Sequence, residues 1–219
     1  KNTELEKQYL LDTIDAEIND KRTYATIRCK DVMCAEELCS IKKYGYREDA
    51  MKITPESAAK AYEELLRTAR VEIMFEGCGD PTLAKDIFAQ KFAGVKREPI
   101  ELSRSLVKAQ QGAVKEETER MEVKQGKLVM GFRVEGIEDY RRMNMARITF
   151  ALFGGTANSL LFKNVREKMS LCYYCSSGYD RSNSIMMVSS GVEAENAQKA
   201  RDEVLHQLEM LKNGEFTDR

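Results

Sequence analysis

The chain has 219 residues, 42% hydrophobic and 32% charged, with 13 glycines, 3 prolines and no tryptophan. Its 35 basic and 36 acidic side chains leave a formal charge of −1, so no global field draws it to nucleic acid or an anionic membrane. No apolar run reaches the roughly 18–20 residues of a membrane span, and no signal peptide opens the chain.

The start, Lys1-Asn2-Thr3-Glu4, is charged and lacks Met, as expected of a fragment or processed chain. From Glu4 to about Arg28 the pattern is helical, with Leu10, Leu11, Ile14 and Ile18 recurring at spacings of three and four. A shorter helix is predicted over Val32–Ile41, before the turn Lys43-Tyr44-Gly45-Tyr46. Thr54-Pro55 reads as an N-cap followed by proline at the first helical position, opening a helix to about Thr68. Val71–Phe75 alternates poorly and predicts a strand buried on both faces. Gly77-Cys78-Gly79-Asp80-Pro81 ends it, and helix returns from Leu83 to Phe92.

Residues 94–125 hold Pro99, few large apolar side chains and the charge run Lys115–Arg120, and read as a solvated linker. Beyond it come a strand at Lys127–Val134, a helix at Asp139–Phe153, a break at Gly154-Gly155-Thr156, and a helix to Lys168 capped by Asn158 or Ser159. The glycine pair is no phosphate loop, since it follows a helix and lacks the Gly-Lys-Ser/Thr ending. Two strands follow, Leu171–Tyr179 and Ser184–Val192, joined by the turn Asp180-Arg181-Ser182-Asn183. The last helix carries Ala197, Ala200, Val204, Leu208 and Leu211, and stops at Asn213-Gly214. The class is therefore α+β, with mostly antiparallel sheet flanked by helices and a domain in part on each side of the linker. Residues 1–93 form the end of the first, 94–125 the linker, and 126–219 the truncated start of the second.

Rare residues restrict the chemistry. The one histidine, His206, lies on the flank of an amphipathic helix and reads as a surface residue, so this chain builds no two-imidazole site. Cys29, Cys34 and Cys39 are five apart, which spreads them around a helix. Cys172 and Cys175 are three apart on a strand, which points them to opposite faces and away from a shared metal or disulfide. Free thiols in a reducing cytoplasm are the expectation for all six cysteines.

One stretch is specific. Leu152-Phe153-Gly154-Gly155-Thr156-Ala157-Asn158-Ser159-Leu160-Leu161-Phe162 and Val165-Arg166-Glu167-Lys168-Met169-Ser170-Leu171-Cys172-Tyr173 resemble a signature of the insulinase/pitrilysin and mitochondrial-processing-peptidase superfamily of metallopeptidases. There a Gly-Gly pair and Ser-x-Leu-Phe precede Val-Arg-Glu-Lys-x-Gly-Leu-x-Tyr. Lys127–Arg133 and the closing Lys212-Asn213-Gly214-Glu215-Phe216-Thr217 are similar to the same C-terminal domain, and Lys52–Glu56 with Val71–Gly77 more loosely to the domain before it. The likeness is to bacterial members that work as paired, unlike subunits.

That resemblance implies zinc peptidase chemistry with parts missing. The inverted His-x-x-Glu-His helix of active members has no counterpart here, and its place would lie before Lys1. Aligning the later zinc-ligand helix on Glu6, Tyr9 and Leu10 puts Thr13 where the glutamate ligand belongs, and a neutral hydroxyl is a poor third ligand. Glu17, one helical turn further, could supply an oxygen instead. The family's arginine and tyrosine, seven apart, fall on Arg166 and Tyr173; they bind the substrate peptide and the oxyanion that forms on its carbonyl. The implied function is a zinc-less subunit offering this pair to a homologous zinc-bearing partner in a cytoplasmic heterodimer, with a peptide as substrate and no cofactor of its own. Two other readings stand beside it: a non-catalytic assembly or binding protein that kept the fold, and a complete zinc peptidase in truncated form.

Overall fold

A computed structural model describes residues 2–35, 37–101, 113–134 and 139–215. Residues 102–112 of the expected linker and the closing Phe216-Thr217 lie outside them. In chain order the elements are α1 (Asn2–Ala16), α2 (Lys21–Met33), α3 (Arg47–Met51), α4 (Pro55–Thr68), α5 (Pro81–Phe92), β1 (Gly126–Arg133) and α6 (Tyr140–Phe150). A π-helical turn (Ala151–Gly155) and a π-helix (Leu161–Lys168) follow, then β2 (Cys172–Asp180), β3 (Ile185–Val192) and α7 (Ala197–Asn213). The architecture is α+β.

By contacts the chain forms two compact units, one of Lys1–Asp15 with Lys43–Arg104 and one of Ala16–Lys42 with Ser105–Arg219. In the first, Thr54 and Ser57 close a reciprocal capping box at the start of α4, with Pro55 behind the cap. Asp80 accepts the Thr82 N–H at 2.8 Å and starts α5 in the same way. Val71–Phe75, expected as a buried strand, forms no strand among the described residues, and Met74 is 93% exposed. Apolar residues alone do not make a strand; a neighbouring ladder must satisfy the backbone. Val71, Ile73, Phe75, Phe88 and Phe92 instead line an open apolar hollow of about 740 Å³.

The second unit holds the core. Its sheet runs β1-β3-β2, antiparallel throughout, with β3 central. Side chains alternate across a strand, so Met186, Val188 and Val192 of β3 meet Phe153, Leu161 and Val204 on one face. On the other lies α2, whose Arg22 stacks on the Tyr174 ring at 4.3 Å and donates to Ser176 at 3.2 Å. Lys30 pairs with Asp180 at 3.6 Å on that same side.

Three helix expectations are corrected. Residues 4–28 are not one helix: Asp20 accepts the N–H groups of Arg22 and Thr23 and the Thr23 hydroxyl, which caps a new start after a 3-10 turn at Glu17–Asn19. The helix predicted over Val32–Ile41 ends at Met33 and gives way to a 3-10 turn at Leu38–Ser40. The last turn of 139–153 and the body of the following helix are π-helical, a form uncommon outside functional regions. The charge run is not free in solvent either: Glu117 and Glu119 each meet Arg28 at 2.6 Å, and Glu116 meets Arg201 at 2.6 Å. Glu119 holds the Arg28 guanidinium charged by its hydrogen bond.

Candidate functional site

Arg166 and Tyr173 line one open depression of about 480 Å³ on the second unit, together with Glu167, Ser170 and Cys172. The π-helix fixes the arginine. Leu161 and Val165 are buried in the core, which turns the adjacent Arg166 toward the rim, where its guanidinium lies 4.4 Å over the Phe162 ring. The chain then reverses through Ser170, whose φ of 52° lies in the left-handed region. That position is glycine in the signature resembled above. Serine adopts the turn at a steric cost of about 1–2 kcal/mol, so the arginine–tyrosine spacing keeps its bend despite the substitution.

Tyr173 is placed by an irregularity. Cys172 pairs with Val192 and Tyr174 with Gly191, so Tyr173 is the extra residue of a β-bulge, and it is 64% exposed. The bulge also reverses the parity of the strand. Cys172 and Cys175, expected on opposite faces, both turn to the core side. The neighbouring Cys175 thiol, together with the Arg166 charge, lowers Cys172 to about 7, while proximity to Cys172 and burial push Cys175 up. Ser190, buried beside both sulfurs, makes no well-formed hydrogen bond, so its influence on them is electrostatic. The depression therefore offers a guanidinium, a phenol and an acidified thiol. Two of them suit a carbonyl or oxyanion, and the third is a nucleophile that sequence spacing hid.

Thr13 lies exposed on α1, and its hydroxyl donates to the Tyr9 carbonyl at 2.7 Å. Glu17 does not continue that helix, which ends at Ala16. His206 is exposed on α7. These residues do not fit a zinc centre of the kind the resemblance implies: the hydroxyl is engaged with its own backbone, and no imidazole accompanies it. Among the described residues, the side chains that do gather as a metal would need are Cys34, Glu37 and Cys39.

A family profile described as the peptidase M16 inactive domain matches residues 52–219. "Probable inactive metalloprotease YmfF" of Bacillus subtilis (strain 168) is 30% identical over 215 residues, covering 97% of this chain and 50% of its own length. A conserved protein from Enterococcus faecalis V583 superposes with a TM-score of 0.87 at 25% identity, over 98% of this chain and 51% of that one. The peptidase M16 inactive domain of Pseudomonas fluorescens shares the fold, with a TM-score of 0.77 at 19% identity over 97% of this chain and 52% of that one. The chain thus spans about half the length of each of these relatives.

Proposed function

The chain belongs to the M16 peptidase family, matching its inactive domain, and from that premise we propose that it is a subunit without a catalytic zinc that binds peptide in a site shared with a zinc-bearing homologue. In this reading residues 1–93 close one peptidase-like domain along the chain, although Ala16–Lys42 pack with the next, 94–125 link the two, and 126–219 open the next. The observation that carries it is the single depression that Arg166 and Tyr173 both line, at the two ends of one turn. Guanidinium and phenol both donate hydrogen bonds, and both strengthen as negative charge builds on a carbonyl oxygen under attack. An extended peptide would add its main-chain hydrogen bonds to a strand edge, which reads backbone rather than side chains. In this reading the hydrolytic water and the group that activates it belong to the zinc-bearing partner, and Thr13 and His206 take no part.

Arg166→Ala in the complete protein, purified with its partner, is expected to lower hydrolysis of an unfolded peptide by about 10²–10³-fold with the assembly unchanged. Unaltered turnover rejects the shared site. The name of the Bacillus subtilis relative favours a second reading, a non-catalytic binding protein; a native complex that binds peptide and cleaves none supports that one.

A further inference from the structure

Helix α2 stops at Met33, and the chain then folds into a tight knuckle. The Cys34 N–H closes onto the Lys30 carbonyl at 2.8 Å, Glu37 onto Cys34 at 2.9 Å, Ser40 onto Glu37 at 3.0 Å and Ile41 onto Leu38 at 3.2 Å. These turns fold Cys39 back toward Cys34, where a continuous helix would have spread them apart. The two sulfurs and a Glu37 carboxylate oxygen all lie within 4.8 Å of one another. Cys34 is fully buried, and the Glu37 side chain is 11% exposed. From the end of β1, Arg133 grips the Glu37 carboxylate with both terminal guanidinium nitrogens and donates to the Met33 carbonyl at 3.0 Å.

We propose that Cys34, Glu37 and Cys39 bind a divalent cation of the zinc class. Four arguments support the assignment. Thiolates are soft ligands that select zinc over magnesium or calcium, and a carboxylate oxygen is a competent third zinc ligand. Tetrahedral zinc at about 2.3 Å from each sulfur sets the sulfurs about 3.8 Å apart, so the side chains need only close by about an ångström. Two thiolates and a carboxylate exceed a dication by one negative charge, and Arg133 supplies the balancing positive charge beside them. That guanidinium also orients the carboxylate from behind, as the outer partners of metal ligands do.

Binding releases one proton from each thiol to solvent, with nothing oxidised, and leaves the fourth metal position to water. Its consequence is structural. The ion ties the end of α2 to the end of β1 through Glu37 and Arg133, and a ligand that binds only the folded state stabilises it by mass action.

The test is cobalt titration of the complete protein, reduced and freed of metal. The expected result is one cobalt per chain, with sulfur-to-metal charge-transfer absorption and tetrahedral ligand-field bands. Cys39→Ser should lose the charge-transfer band, and Glu37→Gln should keep it at weaker affinity, which separates a lost ligand from a lost fold. No charge-transfer band in the wild type, or an undiminished band in Cys39→Ser, overturns the site. A Cys34–Cys39 disulfide in protein isolated without reductant, followed by no cobalt band after its reduction, overturns it equally.

Discussion

At Cys172 one inserted residue decides what the strand can do chemically. With Tyr173 bulged out, Cys172 lies beside the Cys175 thiol and feels the Arg166 charge, and it falls from an ordinary 9.0 to about 7. Alkylation of Cys172 by iodoacetamide is expected to accelerate as pH rises through about 7, followed by mass spectrometry of the modified peptide. Arg166→Ala should move that midpoint upward. A midpoint at the ordinary thiol value in the wild type would remove the acidified thiol from the site. The same group makes stability depend on pH. Its folded value is depressed, so its contribution is complete above the unfolded value near 9 and is lost as pH falls through about 7. Cys175 is shifted the other way, so its contribution is present below the ordinary value and lost as pH rises past it.

Among the elements, the π-helical turn Ala151–Gly155 shows why the first glycine of the pair stands in the signature. A Cβ on Gly154 would lie 2.6 Å from both the backbone nitrogen and the hydroxyl of Ser177 on β2, and 2.8 Å from Leu161. Gly155 is roomier, its nearest neighbour being the Phe150 carbonyl at 3.3 Å. Gly154→Ala is therefore expected to destabilise the fold by about 1–3 kcal/mol through overpacking, and Gly155→Ala by less, as read by urea denaturation. Equal losses would mean that the approach of this turn to β2 does not govern the position. Helix α6 begins by a similarly local device, with Asp139 accepting the Arg142 N–H at 2.8 Å.

Across the whole molecule, buried apolar surface is concentrated in the second unit. Phe153, Leu161, Val165, Val188, Val192 and Val204 are all at or below 2% exposure there, whereas Ala50 is the buried residue among those described in the first unit. Hydrogen exchange should follow that difference. Amides of β3, paired on both sides, are expected to exchange orders of magnitude more slowly than those of residues 69–80. Uniform protection along the chain would show that the first unit acquires a core not visible in its own residues.

The sequence by itself determined what acts within a turn or two. Thr54-Pro55 and Asp80-Pro81 start helices where their caps stand, Gly214 ends α7 in the left-handed conformation, and the apolar spacing of α7 buries Ala200 and Val204. Arg166 and Tyr173 come from the family signature alone, whose residues fall on one helix–turn–strand junction. Tertiary structure decided the rest. Whether Cys172 shares a face with Cys175 depends on its register against β3, not on its distance along the chain. Whether Cys34 approaches Cys39 depends on where α2 ends, and Arg133 from a distant strand holds Glu37 at that end. Val71–Phe75 has the composition of a strand, but a strand exists only through the partner that satisfies its backbone, and no residue's own side chain encodes that partner.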